Sequence, residues 1–276
     1  MKTGIVCEGG AMRGVYTSGV LQAFMEGGFL ADLLVGVSAG ASNGVSYVSH
    51  QLGRGYRTNV DYAGDKRYLS FQNLCETGSL FGFDFIFDEI PNHLDPFDAE
   101  AFHASPCDFY AGALDIETGE TVFFGKKDIQ PGFHAVRASC SMPLLSQVAE
   151  YGGHKLLDGG IGQPIPIDKA LAEGCDRLVV VLTRERGYRK KPMGMLPLYY
   201  ARYRAYPKLL QAIRLRHLVY NHTLQRLFRL EAEGRAILVA PDAPLGVGRF
   251  GQDREKLINA YEIGHQKGLE ALDKIL

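Results

Sequence analysis

The pentapeptide Gly36-Val37-Ser38-Ala39-Gly40 constrains this chain more than any other stretch. It follows the apolar run Leu33-Leu34-Val35 and precedes Ala41-Ser42-Asn43-Gly44-Val45, which has helix-like composition. A G-x-S-x-G between a strand and a helix is the pattern of a nucleophile elbow, in which the flanking glycines let the backbone turn sharply. The serine hydroxyl then projects from the strand end, open to an ester carbonyl on one side and to a base on the other.

The surrounding sequence supplies the elements such a unit needs. Lys2–Cys7 suits a first buried strand. Met12–Glu26 carries Val15, Leu21, Phe24 and Met25 at near-helical spacing and stops at Gly27-Gly28. Leu33–Val37 is the second strand, and a helix runs from the elbow to about Leu52. Phe109–Ile116 and Glu120–Phe124 flank Glu117-Thr118-Gly119 as a hairpin or adjacent strand pair. Phe133–Ser141 reads as helix ending before Pro143. Ser146–Tyr151 and His154–Leu157 flank the tight turn Gly152-Gly153. Ile167–Glu173 is a short helix, Arg177–Thr183 a buried parallel-type strand, Ala236–Ala240 another strand, and Asp253–Ile275 an amphipathic helix. Alternating strands and helices predict an α/β fold in three layers, a central, mostly parallel sheet flanked by helices. No repeat or low-complexity linker interrupts the 276 residues. One domain is expected over 1–276: a motif-bearing core at about 3–185, a basic helical stretch at about 186–233, and a C-terminal strand and helix at 235–276.

An apolar content of 46% is enough for a substantial core. The formal charge of −1 excludes a general nucleic-acid binder, which needs a basic excess. Met1–Cys7 has no basic segment followed by a long apolar one, and no apolar run approaches the roughly 18 residues of a membrane span. Cys7, Cys75, Cys107, Cys140 and Cys175 are widely separated, with no C-x-x-C pair. They read as thiols of a reducing cytoplasm, not as a disulfide framework or a zinc site. The histidines lack ligand spacing and no EF-hand-like run occurs, so no metal or other cofactor is expected. Nothing specifies an oligomeric state.

Two further motifs point to a site. Glu8-Gly9-Gly10-Ala11-Met12-Arg13-Gly14 exposes backbone N–H groups at a helix start, where they can cradle a phosphate or the oxyanion of a tetrahedral intermediate. The loop lacks the middle glycine of G-x-G-x-x-G, and no P-loop lysine follows. Beside a serine elbow, the oxyanion role is the better reading. Leu156-Leu157-Asp158-Gly159-Gly160 puts an acid at a strand end before a glycine turn, either as a turn aspartate or as a carboxylate at the sheet edge that also carries Ser38. Arg137-Ala138-Ser139-Cys140-Ser141-Met142-Pro143 is a small-residue helix end able to pack beside both.

In this order, the glycine-rich loop with Arg13, the G-x-S-x-G, the A-S-x-S-x-P segment and the D-G-G tripeptide resemble the patatin-like phospholipases, from about Ile5 to Pro166. The resemblance implies a lipid acyl hydrolase that works with a serine–aspartate dyad and no histidine. It assigns Ser38 as nucleophile, Asp158 as the dyad aspartate, and Gly9, Gly10 and Ala11 as the oxyanion hole. Arg13, Gly14, Gly36, Gly40, Gly159 and Gly160 complete the motifs. The family usually has a third glycine where Ala11 stands. With negative φ, Ala11 supplies its N–H freely; a positive φ would add strain of about 1 kcal/mol or more. Asp158 would take the Ser38 proton as the hydroxyl attacks, and partial burial would raise its pKa toward that task.

Two other readings stay open on sequence alone. One is an α/β-hydrolase triad of Ser38, Asp158 or Asp242, and His265, although His265 lies in a helical pattern. His154, four residues before Asp158, is a candidate neighbour of the site or a hairpin surface residue. The other concerns Arg186–Arg229, a stretch rich in Arg, Lys, Tyr and Leu and free of Asp and Glu. It suits an anionic membrane surface or a lipid headgroup, and it equally suits a solvated helix pair. A catalytically silent lipid-binding module follows if the serine does no chemistry. The acidic Asp84–Glu120 region is expected to balance this basic stretch.

Overall fold

The computed structural model describes residues 1–276. Its sheet is made of strands whose alternate side chains are apolar on both faces. In β1 (Thr3–Cys7), Ile5 and Cys7 join one core layer while Val6 joins the other. In β2 (Leu33–Val37), Leu34 faces the first layer, Leu33 and Val35 the second. A strand buried on both sides must be covered by helices on both sides. Each such side chain contributes about 1.5–3 kcal/mol on full burial.

The remaining strands are β3 (Asp108–Asp115), β4 (Thr121–Gly125), β5 (Ala149–Tyr151), β6 (His154–Asp158), β7 (Arg177–Val181) and β8 (Ala236–Val239). They form one sheet in the order β5-β6-β3-β2-β1-β7-β8, with β4 paired to β3 off that path. From β3 to β8 the neighbours run parallel; β4, β5 and β6 make the antiparallel pairs.

The helices are α1 (Gly14–Glu26), α2 (Ala39–Val48), α3 (Arg54–Tyr56), α4 (Phe71–Thr77), α5 (Ala99–Ala104), α6 (His134–Cys140), α7 (Ile167–Ala172), α8 (Leu196–Tyr203), α9 (Pro207–Ala232) and α10 (Arg254–Ile275). Val15 and Phe24 of α1, Val45 of α2 and Leu257 of α10 pack on the Ile5 face. Ile167 of α7 and Tyr220, Leu224 and Leu227 of α9 pack on the Val6 face. The three-layer α/β fold is therefore present. Helices α1 and α10 approach backbone to backbone: a Cβ built on Gly264 would lie 2.1 Å from the Tyr16 carbonyl oxygen, and one on Gly19 equally close to that of Tyr261.

Two expectations need correction, and one unread segment takes shape. The helix after the elbow ends at Val48, not near Leu52, because His50 (φ +53°) and Gly53 (φ +73°) leave helical space and Leu52 is exposed. Residues 53–107, which carry no clear period, fold into short helices and two wide π-type segments, Arg57–Asp61 and Phe85–Leu94. Pro91 sits inside the second, where its missing N–H and ring are incompatible with regular α-helical bonding. Finally, the acidic region does not balance Arg186–Arg229. Its Asp84, Glu89, Asp95 and Glu117 pair with Arg137, Arg67, Arg57 and Lys155, whereas Arg186 and Arg226 pair with Glu231 and Asp168.

Candidate active site

Strand β3 joins the two halves of the site. Val37, the last residue of β2, is opposite Gly112, and Asp158, the last residue of β6, is opposite the next residue, Ala113. Ser38 and Asp158 therefore leave their strands side by side, 120 positions apart in sequence. The Ser38 hydroxyl donates to Asp158 Oδ2 at 2.7 Å. Both residues are buried, each only 7% exposed.

The elbow has the strain its motif requires. Ser38 adopts φ +53°, ψ −128°, a region that costs an ordinary residue about 1–3 kcal/mol. The turn closes because its flanks carry no side chain: a Cβ on Gly40 would lie 2.5 Å from the Cys7 carbonyl oxygen, and one on Gly36 equally close to the Ala41 nitrogen. Ser139 anchors the turn. Its hydroxyl accepts the Ser38 N–H at 2.8 Å and donates to the Gly112 carbonyl at 2.6 Å. Sequence reading placed the Ala138–Pro143 segment near the site without finding this role. Next to it, Ser141 O accepts the Asp158 N–H at 2.7 Å.

The second carboxylate oxygen of Asp158 accepts the Gly160 N–H at 2.7 Å. Burial raises the Asp158 pKa above the ordinary aspartate value, while the Ser38 hydroxyl, Arg216, the Gly160 N–H and Arg249 partly oppose the rise. Such a carboxylate is more basic than a solvated one. Arg216 also bonds the Gly160 carbonyl through Nε at 2.5 Å. Burial lowers the pKa of Arg216 itself, and the charge of Asp158 opposes that.

The glycine-rich loop lies against the elbow: a Cβ on Gly9 would sit 3.1 Å from that of Ser38. Gly9 directs its N–H at the Pro164 carbonyl, 3.4 Å away, whereas the N–H groups of Gly10 and Ala11 have no acceptor within the protein. Those two are the free donors beside the serine. Ala11 has φ +50°, so of the two conformations left open by the sequence, the strained one is adopted. Gly14 opens α1, where a Cβ would meet that of Ala39 at 2.5 Å.

Ser38 stands where two cavities meet. One is lined by the glycine-rich loop, Asp158 and five cationic side chains: Arg13, Arg184, Lys190, Arg216 and Arg249. The other is apolar and is walled by Met12, Tyr68, Phe81, Phe83, Phe87 and Met142. The aromatic residues of the second wall, Tyr68, Phe81, Phe83 and Phe87, come from the segment 53–107. An ester bond held at Ser38 would have apolar surface on one side and positive charge on the other.

No histidine lines either cavity. His265 on α10 bonds Glu26 through Nε2 at 2.6 Å, and Asp242 pairs with Lys267. The structure thus does not bring the proposed triad together. His154 contacts Asp115 at 2.7 Å, away from Ser38. No group of three or more His, Cys, Asp or Glu side chains converges to hold a metal ion.

A family model for patatin-like phospholipases matches residues 5–171, well over half of the chain. The chain belongs to the patatin-like phospholipase family. The family is one of phospholipases. A second model, described as a domain of unknown function (DUF6363), matches residues 206–276. Among curated relatives, the uncharacterised protein YjjU of Escherichia coli K12 is 29% identical over 185 residues, covering 65% of this chain and 51% of that protein. The uncharacterised NTE family protein Mb2594 of Mycobacterium bovis is 25% identical over 203 residues, covering 70% of this chain and 32% of that one. The matched region spans about half of the first relative and a third of the second. The crystal structure of VipD from Legionella pneumophila shares the fold, with a TM-score of 0.55 at 12% identity, covering 99% of this chain and 66% of VipD. Arg184, Lys190, Arg216 and Arg249 line the serine cavity from beyond the patatin match. Arg184 and Arg249 carried no signal in the sequence, since neither lies in a motif.

Proposed function

We infer that this chain is a serine esterase that cleaves fatty-acyl esters of phospholipids or lysophospholipids through an acyl-enzyme on Ser38, with Asp158 as general base. The observation that carries the reading is the 2.7 Å bond from the Ser38 hydroxyl to Asp158 beside the unpartnered N–H groups of Gly10 and Ala11. As Ser38 Oγ attacks the ester carbonyl, its proton passes to Asp158 and the carbonyl oxygen becomes an oxyanion facing the loop. Each well-aimed donor there is worth about 3 kcal/mol of barrier. The C–O bond to the alcohol breaks, and the proton held by Asp158 leaves with the alcohol. Water then gives a proton to the same carboxylate, attacks the acyl-enzyme and releases the fatty acid. Ser38, expelled as an alkoxide, takes the proton back. No cofactor enters this cycle.

The apolar cavity supports an acyl-chain site, because it offers a lined path for methylenes at about 0.8 kcal/mol for each one buried. Peripheral contact with an anionic membrane belongs to the same reading. Met195, Leu198 and Tyr200 are exposed on or beside α8, in the basic stretch Arg186–Arg229. No helix is long and apolar enough to cross a membrane. The five cysteines are unpaired, which supports a reducing compartment. We also read 1–276 as one folding unit, since β7 and β8 extend the sheet begun by β1 and β2.

The test is active-site labelling with a fluorophosphonate probe. Wild type should label strongly, Ser38→Ala not at all, and Asp158→Asn at a rate lower by a factor of about 10³ or more, the scale set by loss of a general base. Well-folded wild type that neither labels nor hydrolyses p-nitrophenyl esters would instead identify a silent lipid-binding module.

A further inference from the structure

Arg57, Arg67, Arg137, Arg186 and Arg226 each hold a carboxylate. The five cationic side chains that line the serine cavity differ from these. Arg13, Arg184, Lys190, Arg216 and Arg249 make no ion pair with any acid, and only Arg216 donates a side-chain hydrogen bond. Arg13 is the most constrained. It is 8% exposed, and its Nε is buried without an acceptor. The two carboxylates that share the cavity are already engaged, Glu8 with the N–H and hydroxyl of Thr183 and Asp158 with Ser38 and Gly160. Crowding of like charge away from water is costly. Accordingly burial, then the charge of Arg184, bring Arg13 down to about 10, and burial, then Arg216, bring Lys190 down to about 7. An anion entering the cavity would relieve both effects.

The cationic cavity continues outward. A second cleft shares Lys190, Arg216 and Arg249 with it and adds Arg189 and Lys191. Positive charge therefore runs from the surface to Ser38, an arrangement that steers anions inward. At Ser38 it meets the apolar cavity. The two environments divide an ester at its reacting bond, with the acyl chain in the aromatic pocket and the alcohol among the cations.

We propose that the alcohol half of the substrate carries a phosphomonoester, so that this chain is selective for acyl esters of glycerol phosphate over zwitterionic or neutral lipids. This rests on the hydrolase reading above and deepens it. A phosphomonoester brings close to two negative charges and oxygens that accept guanidinium forks from several directions. A choline or ethanolamine headgroup would put its own cation among five others. A neutral glycerol would leave Arg13 as it stands, buried without an acceptor. Hydrolysis of such an ester yields a fatty acid and a glycerol phosphate, with water the only co-reactant.

The experiment uses purified full-length chain and detergent micelles with three esters of the same oleoyl chain: 1-oleoylglycerol 3-phosphate, 1-oleoylglycerophosphocholine and 1-oleoylglycerol. Fluorophosphonate labelling of Ser38 and hydrolysis of p-nitrophenyl butyrate report the serine chemistry independently of any headgroup. The phosphomonoester should exceed both competitors in kcat/KM by about tenfold or more, the size of one charge-assisted contact. In Lys190→Gln/Arg249→Gln that ratio should fall below about threefold, and in Arg249→Glu the choline ester should overtake the phosphomonoester. Wild type that labels and cleaves the butyrate ester but treats the three oleoyl esters alike overturns the proposal and leaves the hydrolase reading intact. Absence of labelling and of all hydrolysis overturns both. Glycerol 3-phosphate and inorganic phosphate form a separate arm. Protection of Ser38 from labelling by either one, without lipid preference, would make the cavity a site for a soluble phosphate and overturn the substrate assignment.

Discussion

Replacing Ser139 with alanine should disable the site from behind, without touching either member of the dyad. Ser139 is fully buried, and its hydroxyl is the acceptor for the Ser38 N–H and a donor to the Gly112 carbonyl. Alanine changes the volume little but leaves both backbone groups buried without partners. Each such loss costs about 1–3 kcal/mol, so a total of about 2–6 kcal/mol is expected. That corresponds to a fall in Tm of about 4–24 °C for a chain of this size. The kinetic effect follows from strain. Ser38 is held at φ +53°, and with one anchor gone the turn can relax and carry its hydroxyl away from Asp158. A displacement of about 1 Å at a reacting group costs about 100-fold. Urea denaturation, the rate of fluorophosphonate labelling and p-nitrophenyl butyrate hydrolysis measure the three quantities. Ser141→Ala is the control, because the Ser141 hydroxyl only returns to the Arg137 carbonyl within its own helix. It should lose less than about 1 kcal/mol. If Ser139→Ala stays within about 0.5 kcal/mol of wild type and labels at the wild-type rate, this account of how the elbow is held is wrong.

Two other outcomes follow from the site. Because burial raises the folded pKa of Asp158 above its unfolded value, its carboxyl binds a proton more tightly in the fold; the stability this gives is full at low pH and is lost as pH rises through the folded pKa. Asp158→Asn, a permanently neutral substitute, should match or exceed wild-type stability at pH 7 while hydrolysis drops to background, and urea midpoints clearly below wild type would contradict this. For wild type, the acid limb of the rate profile should lie above the usual carboxylate range, and a limb at about pH 4 or below would rule out the raised pKa. Ala11→Gly removes a left-handed alanine that costs about 1–2 kcal/mol, against about 0.4–1 kcal/mol for the added freedom of glycine in the unfolded chain. A net gain of about 0.5–1 kcal/mol with undiminished labelling is expected; a loss of stability would show that the Ala11 methyl makes contacts worth more than its strain.

What the sequence made legible was whatever rests on short-range pattern. The run Leu178–Leu182 reads as a strand buried on both faces, and the glycines around Ser38 suit a tight turn. The segment 53–107 resisted reading because its aromatic residues follow no single period. They line a cavity wall assembled from short helices and irregular turns, so the spacing that marks a regular amphipathic element is missing. The sign of φ at Ala11 was equally hidden, since it is imposed by how the loop meets Ser38 and not by alanine itself. Arg216 was visible only as one of many arginines in a basic stretch. That it turns inward to Gly160 and Asp158 depends on where α9 crosses the sheet, which no local pattern encodes.

The close approach of α1 and α10 at Gly19 and Gly264 has an evolutionary consequence. With each backbone pressed against the other, a methyl group at either position would force the two helices apart by more than 1 Å, because the 2.1 Å separations are far inside van der Waals distance. The two positions therefore have to be inherited together. A chimera that takes its last seventy or so residues from a relative will seat them only if the recipient's first helix offers the same bare patch.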